Sequence, residues 1–302
     1  MKYLRRITIS LICIVLGLLP SQFSQATEIT SQLDQTGIIV NYGEFTPELP
    51  KAKVKAFLVV NLTTGDVLAA KNPHKQLPPA STIKALTAIT LLEKLDPARN
   101  YKVRRLDARM YGSEVGIVQG RKYTIEQLWY GLLLPSGNDA AMALANANGG
   151  IAKTVSEMNE TAKLLGAVNT VAKTPHGLDT VGQVTTAYDI ALIGQAAINN
   201  EAFRKYARTT RYIFPDVGRG RVNVEIANTN KLLSRYPGII AGKTGFTTQA
   251  RSCYVGAARR NGQVILISFL NAESNRDALA TALFDWGFAV NGLVIPVGKL
   301  GQ

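Results

Sequence analysis

Apolar and polar positions divide the chain into a strand-like beginning, a helix-like middle and a strand-like end. Val54 to Val60 and Val67 to Ala70 are apolar runs joined by Thr63-Thr64-Gly65-Asp66, which predicts a hairpin. Pro78 and Pro79 then stop extended structure. Ile83, Leu86, Ile89 and Leu92 recur at helical spacing, and Ala85 and Ala88 favour helix, so Ser81 falls at a predicted helix N-terminus. Thr124-Ile125-Glu126-Gln127 carries the pattern of a capping box ahead of Leu128 to Leu134. Pro135 and Gly137 break that helix and Asp139 to Asn148 resume one, which leaves Ser136 and Asn138 on a turn between helices. Tyr188 to Ala197 predicts another helix, after which the chain changes character. Ile239 to Thr247 and Ser252 to Ala258 read as strands, Asn261-Gly262 turns the chain into a third at Gln263 to Leu270, and Ser274 to Phe288 closes as a helix. Strands at both ends around a helical middle imply a sheet assembled from the two ends of the chain, an α+β layout. The sequence contains no internal repeat and no low-complexity segment.

The N-terminus adds an expectation about location. Lys2, Arg5 and Arg6 precede the apolar run Ile7 to Leu19, and Ser24-Gln25-Ala26 follows with small residues suited to signal peptidase. The run has 13 residues, whereas a membrane-spanning helix needs roughly 20. Residues 1–26 are therefore expected to be a cleaved secretory signal, and the chain to be exported, periplasmic or extracellular. Residues 27–50, polar and punctuated by Pro47 and Pro50, are expected to be a loosely held leader, with one catalytic domain over residues 51–302. Only 14 residues follow Phe288, so neither a C-terminal β domain nor an integral membrane anchor is expected.

Composition narrows the chemistry. Removal of residues 1–26 lowers the formal charge from +13 to +10, compatible with association with anionic wall polymers or lipid head groups and equally with a generally basic surface. No arginine-rich tract or interleaving of basic and aromatic residues favours nucleic acid. Cys13 lies in the apolar N-terminal run, so Cys253 is the one cysteine left after cleavage; it sits among apolar residues and reads as an inert buried thiol. The two histidines, His74 and His176, lack a His-Glu-x-x-His spacing, so neither a metal nor another cofactor is expected, and His176 reads as a structural loop residue.

The chemically telling residues are three short motifs in one order: Ser81-Thr82-Ile83-Lys84, Ser136-Gly137-Asn138 and Lys243-Thr244-Gly245. Each alone is common; the ordered set is not. On a helix, Ser81 and Lys84 share a face about one turn apart, which matters because a serine hydroxyl needs a base within hydrogen-bond reach. An ordinary lysine, with a pKa of about 10.4, is neutral in about one molecule in 2,500 at pH 7. Lowering that pKa to 7 or 8 recovers roughly 4 kcal/mol of the deficit. Burial and a neighbouring cation both act in that direction, and Lys243 is the candidate cation.

The ordered set matches the motifs of class A β-lactamases and penicillin-binding proteins. The residues around it, Pro79-Ala80 before Ser81, Gly131 to Ala141, Pro175-His176-Gly177-Leu178-Asp179 and Lys243 to Thr247, resemble the D-alanyl-D-alanine carboxypeptidases, the low-molecular-mass penicillin-binding proteins, from about Ala56 to Phe288. The resemblance implies a β-lactamase/D,D-peptidase-like fold: a largely antiparallel sheet flanked by helices, an all-helical lobe, and an active site between them. It further implies that Ser81 attacks the penultimate D-alanine carbonyl, Lys84 takes its proton, and Ser136 relays a proton to the leaving group. Asn138 would contact the substrate amide, and Lys243 and Thr244 its terminal carboxylate. The N–H groups of Ser81 and Phe246 would form the oxyanion hole. Gly245 would leave room for substrate along the strand edge. Peptidoglycan stem peptides are the implied substrate and β-lactams the implied covalent inhibitors. Two departures from the family pattern are Thr174, where Asn is more usual, and Gln183-Val184-Thr185-Thr186, where a His-Tyr-Ser-Ser-like stretch is usual.

Three other readings share part of this evidence. A D,D-endopeptidase uses the same chemistry with another leaving group. A class A β-lactamase needs a deacylating Glu, and no Glu-x-x-Leu-Asn sequence supplies one. A non-catalytic penicillin-fold binding protein sits poorly with intact Ser81, Lys84 and Lys243.

Overall fold

The computed structural model describes residues 37–217, 220, 222–290 and 292–301. Its centre is an antiparallel sheet built from β1 (Ile38–Ile39), β2 (Val54–Asn61), β3 (Asp66–Lys71), β8 (Ile239–Thr247), β9 (Arg251–Arg260), β10 (Gln263–Ala272) and β11 (Gly298–Lys299). The order across it is β1-β3-β2-β10-β9-β8, with β11 also on β3. The predicted hairpin is present, with Gly65 supplying a φ of +81° in its turn, and Asn61 pairs with Asp66. Phe57 lies opposite Phe269, so strands from the two ends of the chain are neighbours in the middle of the sheet.

Both faces of that sheet are covered, which explains why β10 is a nearly unbroken apolar run instead of an alternating one. Ala56, Leu58, Leu266 and Leu270 point into one core with Ile190 and Ile193 of α5 (Ala187–Asn199). Their alternates Phe57, Val59, Ile265 and Ile267 meet Leu283 and Phe284 of α8 (Arg276–Ala289) on the other face. At roughly 25 cal/mol per Å² of apolar area removed from water, such double burial is the main stabilising term.

The helical lobe contains α1 (Lys84–Leu91), α2 (Ile125–Leu133), α3 (Asn138–Ala147), α4 (Ile151–Leu164) and α6 (Glu201–Ala207). The capping box at Thr124 is fully made: its hydroxyl accepts from Gln127 N, and the Gln127 side chain accepts from Thr124 N. Two small hairpins fall outside the predicted elements, β4 (Asn100–Lys102) with β5 (Lys122–Thr124), and β6 (Arg211–Val217) with β7 (Val222–Ala227). The short α7 spans Leu232–Arg235.

The structure corrects the expectation of a loosely held leader over the described part of residues 27–50. β1 pairs with β3, Asn41 bridges Ile295, Leu49 is buried and Pro47 accepts a hydrogen bond from Trp286 Nε1 at 2.9 Å. The reason is that β3 would otherwise be an exposed sheet edge, and β1 and β11 together pair it. The expected signal at residues 1–26 lies outside the described residues.

Candidate active site

The three motifs converge where the helical lobe meets β8. Ser81 lies on a single 3-10 turn, Ala80–Ile83, directly before α1, so Lys84 rather than Ser81 opens the α-helix. Ala80 takes a left-handed φ of +48° and Gly177 packs against it; a Cβ on Gly177 would lie 2.1 Å from the Ala80 carbonyl oxygen. The glycine of the Pro175–Asp179 run is thus required by the backbone of the nucleophile turn.

Lys84 is fully buried, and its Nζ donates to Ser81 Oγ at 2.9 Å and to Asn138 Oδ1 at 2.7 Å. Burial drives its pKa well below the ordinary lysine value, the nearby Lys243 adds to that, and Asp139 opposes it. The 2.9 Å contact suits proton transfer: with the amine neutral, the serine hydroxyl can donate along the same line.

Ser136 sits on the turn after α2 with a φ of +65°, and Asn138 is the first residue of α3 instead of a turn residue. Asn138 Nδ2 donates to the Tyr111 carbonyl at 2.7 Å, so both ends of its amide are held by protein, one of them by Lys84. The expected contact with substrate is left to its remaining N–H. Beside it, the buried Asp139 carboxylate accepts from the N–H groups of Val115, Gly116 and Ile117, which fixes the loop carrying Tyr111.

Lys243 is also buried and donates to Ser136 Oγ at 2.8 Å and to the Thr244 carbonyl at 2.9 Å. Its pKa is pushed down to about 7, first by burial and then by Arg276. Its Nζ is thus held between Ser136 and the β8 backbone, next to the Thr244 with which it is expected to meet the terminal carboxylate. Arg276, which sequence patterning did not single out, stands next to this strand: its Nη2 donates to the Thr229 carbonyl at 3.2 Å, and the Thr229 and Thr244 hydroxyls lie 2.7 Å apart. Only its folded position beside Lys243 makes it visible, since it lies in the first turn of a distant helix.

Gly245 has a packing role beside the expected one. A Cβ there would meet Ala80 Cβ, Ser81 N and Thr82 N, each at 3.0 Å. The missing side chain lets β8 pack directly onto the nucleophile turn. Phe246 is exposed and, with Ser81, Tyr111, Asn138, Leu178 and Thr247, lines a cleft of about 470 Å³. Asp179 accepts from Thr247 Oγ1 at 2.6 Å at its edge.

The two departures from the family pattern turn out to be one feature. Gln183 Oε1 accepts from the Thr174 N–H and hydroxyl, both at 3.0 Å, and Gln183 Nε2 donates to Leu178 O at 3.0 Å. Together they brace the loop that presents His176 to the site. His176 is buried, its pKa falls to about 4 through burial and the nearby Lys84, and its carbonyl lies 3.4 Å from Ser81 Oγ. Cys253 is buried on β9, with its thiol pushed up to about 12 by burial, as an inert cysteine should be.

A serine held against a buried lysine at the junction of an antiparallel sheet and a helical lobe defines a serine hydrolase. Comparison with known proteins narrows the class. A family profile described as D-alanyl-D-alanine carboxypeptidase matches residues 43–274. A D-alanyl-D-alanine carboxypeptidase of Mycobacterium tuberculosis, DacB2, is 41% identical over 251 residues, covering 80% of this chain and 85% of that protein. DacF of Bacillus subtilis is 32% identical over 257 residues; they make up 82% of this chain but only 65% of that longer protein. Among solved structures, a D-alanyl-D-alanine carboxypeptidase from M. tuberculosis superposes with a TM-score of 0.80 at 39% identity, over 86% of this chain and 99% of the other. The Streptomyces K15 DD-transpeptidase superposes with a TM-score of 0.75 at 30% identity, over 80% and 100%. The chain belongs to the D-alanyl-D-alanine carboxypeptidase family, the low-molecular-mass penicillin-binding proteins.

Proposed function

We propose that the protein removes the terminal D-alanine from peptidoglycan stem pentapeptides through an acyl-enzyme on Ser81, and that β-lactams trap the same serine. The observation that carries this reading is the 2.9 Å contact between Ser81 Oγ and a fully buried Lys84 whose basicity is lowered by burial and by Lys243. Neutral Lys84 takes the hydroxyl proton as Ser81 attacks the penultimate D-alanine carbonyl. The developing oxyanion is held by the N–H groups of Ser81 and Phe246; losing one such donor typically costs about 10²- to 10³-fold in rate. Ser136, backed by Lys243, passes a proton to the departing D-alanine amine as the peptide bond breaks and is reprotonated by Lys84, which returns Lys84 to its neutral form. Water then attacks the ester with Lys84 again as base, which frees the shortened peptide and restores Ser81. Lys243, Thr244 and Arg276 are the groups proposed to receive the terminal carboxylate.

The catalytic unit is proposed to begin near Gly37, because β1 and the segment after it are part of the fold, and residues 1–26 to direct export. Among the described residues no helix is long and apolar enough to cross a membrane.

The test is labelling by a fluorescent penicillin together with product analysis on a pentapeptide and on a cross-linked dimer. Release of D-alanine from the pentapeptide, and loss of both label and release in Ser81→Ala, is the expected outcome. A penicillin adduct on folded Ser81→Ala, or cleavage confined to the cross-linked dimer, would overturn the assignment.

A further inference from the structure

A cavity of about 920 Å³ opens at the far end of β8 from the cleft. Its lining includes Ile239 and Ile240 of β8, Val264 of β10 and Ile198 at the end of α5. Arg204, Arg208 and Arg259 stand along its sides, the first two one turn apart on and just after α6, the third on β9. Arg204 and Arg208 also line an adjoining depression of about 520 Å³, so the basic strip continues beyond the groove.

Three facts mark this groove as built for a negative partner. First, none of the three arginines has a carboxylate within ion-pair distance among the described residues, whereas Arg121, Arg211, Arg260 and Arg276 each have one. Three guanidiniums along one groove focus a positive potential there, which raises the local concentration of an anion. Second, one guanidinium is held in place, Arg204 Nη1 donating to the Ile198 carbonyl at 2.6 Å, and the backbone that carries Arg259 is fixed beside the groove, its main-chain N–H donating to the Gly238 carbonyl at 2.8 Å. Gly238 permits that approach, since a Cβ there would lie 2.2 Å from the Arg259 carbonyl oxygen. Third, the floor is apolar and only partly covered, Ile239, Ile240 and Val264 all being half-buried. A guanidinium rim suits a phosphate; an apolar floor beneath it suits the hydrocarbon next to that phosphate.

We propose that this groove binds the phosphodiester head group and first acyl carbons of an anionic lipid. The inference is independent of the catalytic reading, because Ile240 and Phe246 are six residues apart along one strand, roughly 20 Å. A chain seated on a lipid surface by this groove would carry its cleft at the opposite end of β8.

The test titrates the full chain with dihexanoyl phosphatidylglycerol as monomers and follows the heat of binding. Dihexanoyl phosphatidylcholine supplies the same hydrocarbon without net charge, and glycerophosphoglycerol the same head group without hydrocarbon. We expect saturable binding of the first lipid, and at least tenfold weaker binding of the other two. Arg208→Gln and Arg259→Gln should each weaken it about fivefold, while Arg105→Gln, an exposed arginine outside the groove, should change it less than twofold. Equal binding of glycerophosphoglycerol would overturn the lipid assignment in favour of a soluble phosphate ligand. Equal losses in Arg105→Gln and Arg208→Gln, or no loss in either groove variant, would overturn the site itself. Unchanged penicillin labelling in the groove variants shows that they fold.

Discussion

Two cationic clusters lie near β8, one in the cleft and one in the groove, and they differ in burial and in residue type. In the cleft, Lys84 and Lys243 are buried and pushed toward neutrality by burial. In the groove, Arg204, Arg208 and Arg259 border solvent, and guanidinium keeps its charge at any accessible pH. Burial turns a cation into a base; exposure keeps it a cation. The residue types follow: lysine where the proton must leave, arginine where it must stay.

The sharpest way to break this contrast is to put the groove's chemistry into the cleft. Lys84→Arg fixes a cation that cannot release its proton, so penicillin acylation should fall by about 10³-fold or more. More than a tenth of wild-type acylation in a folded variant would remove Lys84 as the base. Next in size is Lys243→Gln. Removing the neighbouring cation stabilises protonated Lys84, so the acidic limb of the acylation pH profile should move to higher pH. With Ser136 losing its donor, kcat on a D-alanyl-D-alanine peptide should fall roughly 10- to 100-fold. An unmoved profile would show that the two lysines are not coupled.

Salt separates the clusters without mutation. Raising ionic strength from about 0.05 to 0.5 M should weaken lipid binding by the groove several-fold, while the pH midpoint of acylation stays within about 0.3 units, because buried pairs are poorly screened. A large shift in the midpoint would mean that the cleft is wetter than its burial implies. The smallest effect concerns His176. Its folded pKa of about 4 lies below the ordinary 6.5, so between those values the unfolded chain binds a proton that the folded chain refuses. Stability should therefore fall as pH drops through this window, by about 1 kcal/mol between pH 6 and 5 from this residue. His176→Gln should remove that share of the slope in urea unfolding; an unchanged slope would show that His176 protonates freely.

Much of the cleft was legible because its chemistry sits in contiguous triplets. Ser81, Lys84, Ser136 and Lys243 meet as the motif order implied, and the strand over 239–247 and the Asn261-Gly262 turn fall where patterning put them. What escaped depends on tertiary packing. Arg276 acts through its position beside a strand 33 residues earlier, and Thr174 and Gln183 read as separate departures until their hydrogen bonds joined them. β6 and β7 escaped for a different reason: their half-exposed residues follow neither a clean alternation nor an apolar run. Gly245 was found, but its packing role was hidden, because the atoms it makes room for belong to Ala80 and its neighbours on another element.

The pairing of β2 with β10 also imposes an order in time. Phe57 and Phe269 are neighbours in the sheet although 212 residues separate them, and Ser81 is synthesised long before Lys243. A growing chain cannot close its central sheet until nearly all of it has emerged, so the nucleophile exists for most of synthesis without its second cation. Such distant pairing slows folding. It also means that acyl-transfer competence arrives only when the two ends of the chain have joined, in one late folding step, and not by degrees.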